Sequence, residues 1–167
     1  MRLTASKLEL AHACGWPFRP DVRVPFDPAG PAALTGTAFA SLRANAVDGR
    51  PVEIPQGADE RRARSMLAAW SAWFEDIRGS LEWETEVPFA FDPVTFTARR
   101  LPTTGQRDYS AAKPGEIVGT ADLFAIDGDT VIVRDDKTGR PENVEPVETN
   151  AQLRGLAVMA TIAHGKR

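Results

Sequence analysis

Residues 116–135 constrain this chain more than any other stretch. EIVGTADLFAI over 116–126 and TVIVRD over 130–135 are two runs rich in β-branched side chains, separated only by Asp127, Gly128 and Asp129. Asp-Gly between such runs is a strong short-range hairpin signal, because glycine supplies the positive φ that a tight turn demands. A hairpin this apolar must bury at least one face, so the chain needs further strands and helices to cover it. Its far end is polar. Asp122 lies on the first run, Asp135 and Lys137 close the second, and carboxylates on paired strands can face each other.

The remaining segments supply the cover. The best-defined helix spans about 60–78, with Asp59 as N-cap and Gly79 as stop. Within it Met66, Leu67, Trp70, Trp73, Phe74 and Ile77 form an apolar stripe read as core packing against a sheet. TGTAFASLRANAV at 35–47 and VETNAQLRGLAVMATIAHG at 147–165 read as two more helices, the latter with Leu153, Leu156, Ala157, Ala160 and Ile162 among its apolar positions. Residues 4–14 read as a short first helix, in which Ser6 and Glu9 have capping-box spacing. Prolines 17, 20, 25, 28 and 31 mark an extended connector. From Leu81 to Phe91 the period becomes two, with Glu82, Glu84, Glu86 and Ala90 on the alternate positions, as in a strand with one buried face. The sum is an α/β chain with a small, mostly antiparallel or mixed sheet flanked by helices, and its 167 residues suit a single domain over 1–167.

Composition narrows the function. With 43% hydrophobic and 26% charged residues, the chain is neither a disordered tail nor a fibre. No apolar run approaches the roughly 18 residues of a membrane span, and the N-terminus lacks a signal-peptide core, which predicts a cytoplasmic protein without membrane partners. The single cysteine, Cys14, excludes an internal disulfide and a four-cysteine metal site. A formal net charge of −3 gives no global attraction for nucleic acid. The charge is uneven, however. Between Pro93 and Gly115, Arg99, Arg100, Arg107 and Lys113 stand against Asp108 alone, net +3, leaving −6 on the rest. A basic loop of this kind could grip a polyanion or be a solvated insertion.

Two clustered carboxylates repel, and a divalent cation removes that cost; hard oxygen ligands suit Mg²⁺ or Mn²⁺. Lys137 follows Asp135 by two residues, which places both on one side of an extended chain, where an ammonium can orient and help deprotonate an attacking water. Such a set is suited to phosphodiester hydrolysis. By spacing alone, a solvated Asp-rich turn remains the alternative.

The exact run of residues goes further than the spacing. Gly119-Thr120-Ala121-Asp122, a short hairpin, Asp135-Asp136-Lys137-Thr138-Gly139 and a helix carrying Gln152-Leu153 resemble the PD-(D/E)XK nuclease superfamily, specifically its RecB-like branch, and are similar to the CRISPR-associated adaptation nucleases. Leu3 to Ser6, with Cys14 and Phe18, resembles that branch's opening helix. The resemblance implies a restriction-endonuclease-like core and a metal-dependent, exonuclease-type DNA nuclease, with repair, phage recombination, restriction and CRISPR adaptation all open as its pathway. Asp122 and Asp135 would ligate Mg or Mn, with the backbone carbonyl of Asp136 adding a ligand. Lys137 would be the catalytic lysine, and Gln152 would orient substrate or lysine. Glu86 is a candidate further carboxylate. Arg99, Arg100, Arg107 and Lys113 are the candidate DNA contacts, and a separate helicase, recombination or adaptation protein is the implied partner.

Three departures stand out. Ala40 takes the place of the histidine in the branch's G-x-x-x-H element, and alanine supplies no ligand; His12 and His164 are read as structural or surface residues. Cys14 has no companions, so an iron–sulfur cluster is excluded. The chain ends at Arg167, where the branch continues into another strand and helix, which suggests truncation. A nuclease-fold module that binds DNA or a protein without cleaving is the alternative function, and a purely structural α/β domain the third.

Overall fold

A computed structural model describes residues 4–7, 29–103, 108–138 and 145–166. Their contacts divide the chain into two units, Phe26–Thr85 and a second made of Met1–Pro25 with Glu86–Arg167.

The first unit holds α1 (Pro31–Asp48) and α2 (Glu60–Arg78). Helix α1 starts a turn before the expected position. Pro31, expected to close the connector, is instead in the first helical turn, where its fixed φ suits the helix and its missing amide costs nothing. Helix α2 has the expected limits: the Asp59 carboxylate accepts from Arg62 N at 2.9 Å, and Gly79 follows its last turn. Thr35 Oγ1 donates to Pro31 O at 2.8 Å and accepts from Asp59 N at 3.0 Å, tying the two helix starts together. Ala38, Phe39 and Leu42 of α1 bury against Ala63, Met66, Leu67 and Trp70 of α2. The apolar stripe of α2 is thus shared between a helix–helix core and an aromatic cluster in which Trp70 stacks on Phe74 at 4.6 Å and Phe74 meets Trp83 edge-on at 5.7 Å. Beyond α1, Asp48 accepts from the buried Thr85 and pairs with Arg50 at 2.8 Å.

The second unit is a four-stranded antiparallel sheet in the order β2-β1-β3-β4, with β1 at Glu84–Asp92, β2 at Thr97–Arg100, β3 at Ile117–Asp127 and β4 at Thr130–Arg134. Helix α3 (Ala151–His164) and a 3-10 turn (Ala5–Lys7) complete it. Three α-helices among the described residues, together with this sheet, give the small α/β architecture of a restriction-endonuclease-like core. The expected helix over 4–14 lies mostly outside the described residues, as does the connector before residue 29.

Four expectations are corrected. Strand β1 begins at Glu84 rather than Leu81, because residues 78–81 turn, with Leu81 N donating to Arg78 O at 3.1 Å. It is also buried on both sides at its centre. Val87 and Phe89 enter the core beneath α3 with Ala121, Phe124, Leu156, Met159 and Ala160, whereas Ala90 joins Leu101, Ala112 and Val118. The stretch after Pro93 is not one long loop, since residues 97–100 fold back on β1 with Asp92 opposite Thr97 and Phe89 opposite Arg100. Finally, α3 starts at Ala151 instead of 147, capped by the Asn150 side chain accepting from Leu153 N at 2.9 Å. Its buried positions are Leu156, Met159 and Ala160, with Ala157 exposed.

One glycine fixes the spacing of this unit. A Cβ on Gly119 would lie 2.7 Å from Ala5 Cβ and 2.7 Å from Leu156 Cδ2, so β3 can approach the 3-10 turn and α3 only with glycine there.

Candidate active site

The β3–β4 hairpin places the two aspartates. Asp127 pairs with Thr130 and Leu123 with Arg134, and Asp122 and Asp135 are the residues next beyond that last pair. The turn has Gly128 first, at φ 55, and Asp129 second without positive φ, the pattern of the type II′ class that matches strand twist. Asp122 is 4% exposed, and its Oδ2 accepts from the Asp136 amide at 2.7 Å. That bond holds the segment after β4 against β3.

The Asp135 side chain is 5% exposed. Its Oδ1 accepts from Gln152 Nε2 at 2.7 Å, and the other end of that amide, Oε1, accepts from Lys137 Nζ at 2.9 Å. Lys137 closes the ring by pairing with Asp135 Oδ2. That oxygen is buried, and the Lys137 ammonium is its partner. Gln152 reaches both partners because Asn150 starts α3 two residues earlier. Sequence reasoning missed this role of Asn150, although an asparagine preceding Ala-Gln-Leu is a cap signal. It also missed the Asp122 bond to the Asp136 amide, which nothing in the side-chain pattern announces.

Two buried carboxylates tied to one short segment, one of them already drawing a cation to its oxygen, suit a hard divalent cation. Asp122 and Asp135 are the side chains that could hold one, with the Asp136 carbonyl on the same segment. Among the described residues, no group of three or more His, Cys, Asp or Glu side chains is gathered for a metal. Glu86 is half-buried near the start of β1, at φ 51, one strand away from Asp122 in the sheet order. Ala40 lies half-buried on α1, in the helical unit.

The basic candidates differ among themselves. Arg99 pairs with the buried Glu116 at 2.9 Å and donates to Ala111 O at 3.0 Å, so its guanidinium braces the segment covering the sheet. Arg100 and Lys113 lie exposed on the surface. Arg107, Cys14 and His12 fall outside the described residues. His164 stacks on Phe124 at 5.0 Å and meets Phe89 edge-on at 6.2 Å, a packing position at the end of α3. No helix among the described residues is long and apolar enough to cross a membrane.

Comparison with known proteins extends the local match to nearly the whole chain. The family model of the PD-(D/E)XK nuclease superfamily matches residues 2–165. No curated protein and no solved structure matches significantly. A match of that extent, on a chain whose β3 aspartate accepts from the amide of the segment that carries Asp135 and Lys137, shows that the chain belongs to the PD-(D/E)XK nuclease superfamily.

Proposed function

We propose that this protein is a Mg²⁺- or Mn²⁺-dependent deoxyribonuclease of the RecB-like kind, acting on DNA from an end, with Asp122, Asp135, Lys137 and Gln152 as its working residues. Membership in the superfamily implies metal-dependent nuclease activity on a nucleic-acid substrate. The observation that carries the finer reading is the ring of Asp135, Gln152 and Lys137 closed beside Asp122. A divalent cation held by the two carboxylates, with the Asp136 carbonyl, would supply Lewis-acid stabilisation of charge on the phosphate.

The chain's own residues prepare the rest. Lys137 presents a cation on a flexible stem where it can orient an attacking water and accompany its proton loss. Gln152 keeps that ammonium within reach of Asp135, so the nucleophile and the carboxylates are positioned before substrate arrives. Asp122 holds the Asp136 amide and with it the segment that carries Asp135 and Lys137. Arg100, Arg107 and Lys113 are proposed to hold the DNA backbone. Arg99 belongs with them as a candidate whose first commitment is to Glu116.

The test is cleavage of end-labelled single- and double-stranded DNA with Mg²⁺ and with Mn²⁺. The wild-type chain is expected to shorten DNA from its ends, and Lys137→Ala and Asp135→Ala to lose activity by at least about a hundredfold. Equal rates for wild type and Lys137→Ala would overturn the enzyme reading. Ala40, which supplies no ligand, favours a second reading in which the domain holds DNA without cutting it. Salt-sensitive binding that depends on Arg100 and Lys113 but is indifferent to Lys137 would mark that case.

A further inference from the structure

Asp135 is buried, and its two oxygens have different partners. Oδ1 is held by the neutral Gln152 amide, whereas buried Oδ2 is held by the charged Lys137 ammonium. A buried carboxylate oxygen in this condition depends on a cation for its stability. The lysine is not itself enclosed. Its side chain is 38% exposed, and its second tie is to Gln152 Oε1, so the ammonium can swing off Asp135 toward solvent while that tie holds.

A divalent cation at Asp135 would need the oxygen that the ammonium now faces. The two positive charges cannot share that position without strong repulsion at so short a range. From this we infer that Lys137 is a placeholder: its ammonium occupies the cation's position at Asp135 Oδ2 in the metal-free protein, and cation entry displaces it to a post held by Gln152. This rests on Asp122 and Asp135 being the cation site, as proposed above. Lys137 therefore has two opposed effects. It serves the reaction, and it weakens cation binding at rest, so that the site stays charge-compensated and structurally intact without metal.

The experiment is calorimetric titration of Mn²⁺ alone into the full chain and into two variants. Lys137→Met keeps the stem and removes the charge, and it is expected to bind Mn²⁺ about fivefold or more tightly than wild type. Lys137→Arg, which keeps a cation, is expected to remain within about twofold of wild type. Mn²⁺ bound equally or more weakly by Lys137→Met overturns the placeholder. A second measurement needs no variant. Reductive methylation of Lys137 in the wild-type chain, followed by mass spectrometry, should speed up at least about twofold when Mn²⁺ is added, because the ammonium is released from Asp135. An unchanged rate overturns the inference even if Lys137→Met fails to fold. Failure of the two readings is separable. DNA cleavage with equal Mn²⁺ affinities removes the placeholder and keeps the nuclease, whereas tighter binding by Lys137→Met without wild-type cleavage does the reverse. No Mn²⁺ binding by any form removes both.

Discussion

Single residues carry unusual weight in this chain. Gly119 sits where even a methyl group would meet Ala5 Cβ and Leu156 Cδ2 at 2.7 Å, and Ala5 has no flexible end to move aside. Gly119→Ala is expected to lower stability by about 1–3 kcal/mol through overpacking, measured by chemical denaturation. Arg99 makes the opposite case, a charge whose loss leaves a hole. Removing it strips the guanidinium from Glu116, which is 8% exposed, although the Lys113 amide still donates to that carboxylate at 2.6 Å. Arg99→Ala should therefore cost about 1–3 kcal/mol in denaturation, whatever it does to DNA binding. Sequence alone counted Arg99 with its basic neighbours, since its partner is 17 residues away and only the fold brings them together.

At the level of elements, legibility followed the locality of the signal. The β3–β4 hairpin could be read because Asp-Gly and two β-branched runs lie within 20 residues, and α2 because its cap and stop are adjacent to its stripe. Strand β2 could not be read, because Thr97–Arg100 is four residues long, polar, and a strand only through pairing with β1. That Asp122 and Asp135 stand near the same end of the hairpin was legible from the two strand runs and their turn. The Gln152 bridge was not, since it depends on where α3 begins, and that is set by Asn150. Asn150→Ala should cost about 1 kcal/mol by loss of the cap. It should also loosen Gln152 from Lys137, seen as increased hydrogen exchange over 151–154. The β1–β2 connection offers a pH test. The Val94 amide, with help from the Thr95 side chain, hydrogen-bonds Asp92 and holds its carboxyl below the ordinary range. A carboxylate so lowered adds stability that is complete above the ordinary value near 4 and is lost as pH falls through its own lower value. NMR titration of Asp92 should give a midpoint below that of an unstructured aspartate, and Asp92→Asn should remove this part of the acid dependence.

On the scale of the whole molecule, the charge asymmetry becomes a binding prediction. A chain with net charge −3 that holds a polyanion must do so locally, so affinity should fall with salt at a slope set by a few cations. Replacing Arg100 or Lys113 by alanine is expected to reduce the slope of log K against log salt by about one each, measured with catalytically silent protein and labelled DNA. Much of the fold class was readable from composition and period, because a strongly apolar hairpin demands cover and the chain has amphipathic helices to give it. The division into two units was not, since it lies in which helix packs on which, and an apolar stripe does not name its partner. The ring at Asp135 has one more consequence, and it concerns time. Its own hydrogen bonds span only 15 and 17 residues along the chain, and the Asp136–Asp122 bond beside it spans 14. Closing such short segments costs little chain entropy and is fast, so the ring can form as soon as one hairpin and one helix start are in place. During refolding, affinity for Mn²⁺ should therefore return early, before the slower steps that complete the molecule.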